Sequence, residues 1–384
     1  MPETLKFTIF VCFVAFVCAL GTMIYLAAFP ELAQIFKVTS EPIKFSLTLY
    51  FIGFIPGTLF AGPLSDSYGQ QRILTFFLIL FCLSSVLCGF SSSIFTFWVG
   101  RFFQGMGSAG SSIIIPAIVA SSCRGITYDN IISLVLIMFG LGGGLSPLLG
   151  SLIFYFFGWR FIFFFLSFLG LLALGFIYHI KIKEPVKKRS LEETLLQYHF
   201  FIHHPFFKHY WLMIAILYGA LYAFVILSPY IFRIHFGWDL FAFAWVGIAI
   251  ALGEAVGIFL DDELIEKVGR KEVIVIGLII IALTLTALFG MDLSSSSLLF
   301  LFFITLFIIG NNLVSSSLTL AAMKADPKYT GMASSILFLG KVLAVSLILI
   351  LMLFLPEDLS IVSYVILITF LFSIVLYLKI RKTF

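Results

Sequence analysis

The chain has 384 residues, of which 61% are hydrophobic and 11% charged, with a mean hydropathy of +1.16. A soluble domain is nearer half apolar and a quarter charged, so no soluble core could hide this much apolar surface and lipid is the natural solvent. The net charge of +4 is read as a signal of membrane topology and does not point to nucleic-acid binding.

A helix needs roughly 20 apolar residues to cross ~30 Å of hydrocarbon. Twelve runs meet that demand, at 5–28, 43–62, 73–90, 94–118, 129–155, 160–181, 210–232, 242–260, 273–291, 296–322, 331–355 and 360–379. They are continuous, carry internal Gly and Pro and do not alternate, which fits helices and excludes barrel strands. The first run follows Lys6 and is too long for a signal-peptide core. The five cysteines (Cys12, Cys18, Cys82, Cys88 and Cys123) lie in or at the ends of apolar runs and are read as buried small hydrophobes. No metal or other cofactor is expected.

With both termini cytoplasmic, most of the 23 Lys and Arg fall on the inner side. The outer side keeps Lys37, Lys44, Arg160 and Arg233, while Arg101 and Lys341 lie inside spans. By the positive-inside rule this places both ends in the cytoplasm. The longest polar segment, 182–209, carries Lys187-Lys188-Arg189, an amphipathic stretch around Leu191, Leu195 and Leu196, and then His199, His203 and His204. It reads as a cytoplasmic linker with a short surface helix. Metal binding by its histidines is the minor alternative to an interfacial loop. Six spans precede the linker and six follow it. The expected fold class is therefore an all-α membrane protein of two pseudo-symmetric six-helix bundles, 1–181 and 210–384, joined by 182–209.

Two short polar stretches support an internal repeat. Gly62-Pro63-Leu64-Ser65-Asp66-Ser67-Tyr68-Gly69-Gln70-Gln71-Arg72 has an echo in the stretch from Asp262 to Lys271, with Leu64 matching Leu264, Asp66 matching Glu266 and Gly69 matching Gly269. Both are read as cytoplasmic hinges that gate the inner face. Glycines allow the tight turns, and Asp66 is placed to cap a helix or pair with a cation. Gly62, Asp66, Gly69, Arg72, Glu266, Gly269 and Arg270 are the expected gating residues.

Span four carries Arg101, Gln104, Gly105, Ser108 and Ser112 on one helical face. A charge in a span costs a few kcal/mol unless it faces a cavity or a partner, and the polar stripe favours a cavity over snorkelling. Span five holds Gly140-Leu141-Gly142-Gly143-Gly144-Leu145-Ser146-Pro147-Leu148-Leu149-Gly150, either plain close packing or a kinked helix at a moving interface. In the second half, Glu254 and Lys341 are the deep charges. They form either a structural ion pair or a functional site. Burial makes the charged form of Glu254 expensive, so it is a candidate to load and release a proton. Asn312, Ser315, Ser316 and Thr319 share a face of span ten, Tyr218 and Tyr222 are one turn apart in span seven, and Ser46 and Tyr50 lie in span two. Gln104, Ser108, Tyr50, Tyr218, Tyr222, Asn312, Ser315, Ser316 and Lys341 are the expected substrate-cavity residues.

These motifs resemble the major facilitator superfamily, and within it the twelve-span drug:proton antiporters of the bicyclomycin/chloramphenicol-resistance type. Residues 62–72 are similar to the family's hinge motif, with Gln70 and Gln71 where basic residues are usual. Arg101 to Gly107 is similar to the span-four motif whose Arg is linked in the family to proton coupling. Gly144, Pro147 and Gly150, followed by Gly158-Trp159-Arg160, resemble the span-five antiporter motif and the start of span six. Ser228-Pro229-Tyr230 also fits the subfamily. Met23 departs from the pattern, because it stands where an acidic residue is expected. The resemblance implies a non-enzymatic, proton-coupled exporter in a bacterial inner membrane, a monomer driven by the proton gradient. Arg101 and Glu254 would couple the proton. A carrier of a metabolite or siderophore-like anion is the alternative, and a non-transporting receptor or scaffold a remote one. No H-E-x-x-H or G-x-S-x-G sequence points to an embedded enzyme.

Overall fold

The structure is a computed structural model and describes residues 3–123, 125–180, 182, 207–290, 296–324 and 330–381. Among these, helix is the only regular secondary structure. The chain divides into two compact units, Met1–Thr194 and Leu195–Phe384. Eleven helices are long and apolar enough to cross a membrane, and a shorter apolar helix, Ile336–Met352, completes the set among the described residues. Most of the expected linker, including His199, His203 and His204, lies outside the described residues.

In the first unit α1 (Glu3–Met23) stops short of the expected end of span one. A 3-10 turn, Leu26–Ala28, leads into α2 (Phe29–Phe36), whose first turn holds Pro30. Proline is tolerated there because that N–H has no intrahelical partner. The remaining helices are α3 (Ser40–Tyr68), α4 (Gln70–Phe90), α5 (Ile94–Ser122), α6 (Ile126–Phe157) and α7 (Trp159–Ile177).

The expected hinge over residues 62–72 is not a loop. α3 runs on through Gly62, Pro63 and Asp66 to Tyr68, and α4 starts at Gln70. The whole reversal is made at Gly69, with φ 99°. A left-handed backbone at one residue turns the chain without a loop, and glycine takes it without steric cost. Asp66 is therefore not an N-cap: it sits in the last turn of α3, and Gly69 is the N-cap of α4. The second unit repeats the device, because α9 (Leu240–Val268) passes to α10 (Arg270–Gly290) through Gly269 alone, with φ 91°.

The second unit begins with α8 (Phe207–Pro229), earlier than the expected span and inside the expected linker. Phe207 is 1% exposed and packs into the bundle. A π-helical turn, Tyr230–His235, follows Pro229. After α9 and α10 come α11 (Ser297–Lys324), α12 (Thr330–Met352) and α13 (Leu359–Ile380).

Both units use one packing scheme. In the first, α5 packs on α3, α4 and α1, while α1 also packs on α6 and α4 on α7. In the second, α11 packs on α9, α10 and α8, while α8 also packs on α12 and α10 on α13. Bare glycines set the closest approach. A Cβ on Gly105 would stand 1.9 Å from the Tyr50 carbonyl oxygen, and one on Gly53 2.0 Å from that of Phe102. Lipid tails are as apolar as these side chains, so helix association rests on such contact rather than on a hydrophobic drive.

Candidate functional site

Each unit buries charge. In the first, α5 carries Arg101 two turns in from Ile94, with the side chain 0% exposed. Nη1 donates to the Gly21 carbonyl of α1 at 3.1 Å and to Gln104 Oε1. The guanidinium lies over the rings of Tyr25 and Tyr50, 4.2 Å from each centroid. Nε and Nη2 have no hydrogen-bond partner, and Arg101 makes no ion pair among the described residues. A charge at the centre of a span costs about 3 kcal/mol or more. Each desolvated cation–π contact returns about 2 kcal/mol. The two tyrosine faces thus offset much of that cost, and Met23, where an acidic residue is expected, is buried.

The rest of the span-four stripe closes the knot. Gln104 Nε2 donates to Ser85 Oγ of α4 at 2.7 Å, and Ser108 Oγ donates to the Cys18 carbonyl of α1 at 3.0 Å. Gln104, Ser108 and Tyr50 are each 0% exposed. They do not line an open cavity as expected, because the stripe is consumed in joining α1, α3, α4 and α5. Snorkelling of Arg101 is excluded by the same burial. Tyr25, whose hydroxyl is 2.9 Å from Ser46 Oγ, and Ser85 belong to the site and were not singled out. A tyrosine ending an apolar run was their one sequence signal.

In α6, Gly144 and Pro147 are buried and the helix runs unbroken through Pro147. A Cβ on Gly150 would stand 1.6 Å from the Ile24 carbonyl oxygen, and one on Gly142 2.6 Å from that of Phe16. Gly142 and Gly150 thus permit close packing of α6 on α1 and on the residue that follows it.

At the Gly69 end, Gly62 has open space beside it, Asp66 is half-buried and Arg72 is exposed. Gln70 and Gln71, which replace the usual basic residues, tie α4 to its neighbours: Ser121 Oγ donates to Gln70 Oε1 at 2.8 Å, and Gln71 Nε2 donates to the Ile177 carbonyl at 3.3 Å. At the Gly269 end, Glu266 is exposed, Arg270 is half-buried, and Lys267 pairs with Glu263 one turn before it.

The second unit gathers Glu254 of α9, Lys341 of α12, and Tyr218 and Tyr222 of α8. Lys341 Nζ lies 5.1 Å from the Tyr218 ring centroid, and the two tyrosine rings are 5.3 Å apart. Glu254 lies within electrostatic reach of Lys341 and Tyr218, but Glu254 and Lys341 form no ion pair within 4.0 Å. The expected polar stripe of α11 largely bonds to its own helix. Asn312 Nδ2 donates to the Ile308 carbonyl at 3.0 Å, Ser315 Oγ to that of Asn312 at 3.5 Å, and Thr319 Oγ1 to that of Ser315 at 2.7 Å; Ser316 is half-buried. Sequence reasoning also passed over Asp261, which is 1% exposed and bonded to Ser317.

The description Major Facilitator Superfamily matches residues 11–260 and 225–383. A Haemophilus influenzae protein named bicyclomycin resistance protein homolog is 26% identical over 331 residues, 83% of this chain and 81% of its own. A Shewanella protein named multidrug resistance protein MdtL is 28% identical over 176 residues, 46% of this chain and 44% of its own. Among solved structures, a D-xylose–proton symporter matches with a TM-score of 0.78 at 15% identity, over 97% of both chains. The xylose transporter XylE from E. coli, in a partially occluded inward open conformation, matches with a TM-score of 0.74 at 15% identity, over 99% of both.

Proposed function

Because this chain belongs to the major facilitator superfamily, we propose that it is a proton-coupled antiporter that exports a drug-like small molecule. The observation that carries this reading is the Glu254–Tyr218–Lys341 cluster, half-buried within the spans and held short of an ion pair. A carboxyl inside a span without a salt-bridge partner is a group whose charge is cheap to change, which a proton carrier requires. Arg101 supplies a fixed positive charge in the other unit. Relatives named for drug resistance support export. Protonation would bias one state of an alternating-access cycle, and substrate can shift that equilibrium only by its differential affinity for the two states. The chain would work as a monomer in a bacterial inner membrane with both termini inside, needing no cofactor besides the gradient.

A second reading has one observation in its favour. Arg101 and Lys341 are both without ion-pair partners among the described residues, which favours a neutral, zwitterionic or anionic cargo such as a metabolite or siderophore. A deletion strain separates the two. Raised drug sensitivity supports drug export. An unchanged drug profile with a secretion or uptake defect supports the second reading. Flux in inverted vesicles that ignores an imposed pH gradient, with Glu254→Gln behaving as wild type, would sink proton coupling in both.

A further inference from the structure

Asp261 stands on α9 seven residues beyond Glu254, two helical turns on and on the same side of the helix. Ser317 Oγ of α11 donates to its Oδ1, and its Oδ2 has no hydrogen-bond partner. In the first unit the same place is apolar. The glycine contacts set the register. Gly53 meets the Phe102 carbonyl and Gly57 meets Met106 O and Ala109 Cβ, while Gly253 meets the Thr305 carbonyl and Gly257 meets Ile309 O and Asn312 Cβ. One turn further, Asp261 corresponds to Ala61 and Ser317 to Ile114, and both of those are 0% exposed within the apolar core of their unit. The second unit has thus placed a carboxyl and a hydroxyl where its twin packs hydrocarbon.

A carboxylate can accept about four hydrogen bonds, and this one receives one. A purely structural tie would be made as well by an amide, with no charge to bury. A serine partner has a specific chemical merit: its hydroxyl donates to the carboxylate and accepts from the carboxylic acid, so the pair survives a change of protonation. The charged groups around Asp261 are the exposed Asp262 on its own helix and Arg270 at the start of α10, and α11 presents Ser317. Arg233 and His235, on the π-helical turn that also touches α9, lie at the opposite end of that helix.

We propose that Asp261 is a second proton-binding residue, taking up and releasing a proton at the Gly269 end of α9 while Glu254 does so deeper in the span. The proposal rests on the proton-coupled reading, in which a proton leaving the Glu254 carboxylic acid would be accepted by the Asp261 carboxylate through water and passed to bulk solvent.

The test is infrared difference spectroscopy of the full-length protein in proteoliposomes, stepped from about pH 9 to about pH 5 and read at the carbonyl stretch of protonated carboxyl groups. The wild type is expected to show a component that Asp261→Asn removes and Glu254→Gln leaves. Ser317→Ala, which keeps the carboxyl and takes away its partner, is expected to shift that component in frequency, and it serves if Asp261→Asn does not fold. A difference spectrum unchanged in Asp261→Asn, or in Ser317→Ala where that variant stands in, overturns the proposal. The spectrum is read without transport, so vesicle flux that ignores the gradient removes the coupling role while the Asp261 component still reports whether it binds a proton.

Discussion

The guanidinium of Arg101 lies over the ring of Tyr50, 4.2 Å from its centroid, deep in a helical bundle where it forms no ion pair among the described residues. The ring face rather than the hydroxyl holds the cation, because the attraction comes from the quadrupole of the ring. Tyr50→Phe is therefore expected to keep the melting behaviour of the wild type within about 0.5 kcal/mol. Tyr50→Leu is expected to lose about 2 kcal/mol or more, from the lost contact and the imperfect fill. Thermal unfolding of the purified protein in detergent compares the two. Equal losses would show that Tyr50 acts through its hydroxyl rather than its ring face.

Glu254 and Lys341 make a different arrangement, close enough to interact but without direct contact. Neutralising either leaves the other as an unbalanced charge within the span, whereas neutralising both removes the imbalance. Glu254→Gln and Lys341→Met are each expected to destabilise, and the double variant to recover part of the loss, with a coupling of about 0.5 kcal/mol or more in a double-mutant cycle. Strict additivity in the unfolding free energies would mean the two charges are independent. Glu254→Gln is further expected to abolish the dependence of flux on an imposed pH gradient while leaving substrate exchange at equal pH.

The twelve-helix plan was legible because lipid requires about 20 apolar residues per span, a demand that leaves an unmistakable mark. The two-fold repeat was legible in the Gly69 and Gly269 stretches. The extent of the helices around them was not, because residues 62–68 are polar and helix outside hydrocarbon carries no hydropathy signal. The span-four stripe marks one helical face, but its sequence pattern does not say whether that face meets water or other helices. A row of polar side chains joining helices and a row lining water have the same periodicity, and only partners such as Ser85 and Cys18, distant in sequence, distinguish them. Asp261 was hidden by its neighbours, since beside the exposed Asp262 and Glu263 it reads as the start of a loop.

The glycines of α5 and α6 give a test of packing with internal controls. A methyl at Gly150 or Gly105 would stand within 2 Å of a backbone oxygen, at 1.6 and 1.9 Å, and backbone cannot step aside as a side chain would. Gly140 and Gly143, in the same run of α6 as Gly150, have nothing within 4 Å of the added carbon. Gly150→Ala and Gly105→Ala are expected to cost about 3 kcal/mol or to prevent folding, beyond ordinary overpacking. Gly140→Ala and Gly143→Ala should be neutral or gain up to about 1 kcal/mol from helix propensity. Monodispersity and thermal unfolding of the four variants decide it. Equal behaviour would mean that the contact of α6 with the Ile24 backbone is looser than the geometry shows.

The chain reversals concentrate strain at single residues, and this separates Gly69 and Gly269 from Gly62. Gly69 and Gly269 hold φ of 99° and 91°, where any side chain is disfavoured. Gly62 lies inside α3 with open space around it and a helical backbone. Alanine at Gly69 or Gly269 is expected to cost about 1–2 kcal/mol or to force a longer turn. Gly62→Ala should be neutral or slightly stabilising. If these ends gate transport, the Gly69 and Gly269 variants will also lose flux in vesicles at temperatures where they remain folded, and Gly62→Ala will not. Flux lost equally in all three would return the gating role to the polar stretch as a whole and take it from the two turning glycines.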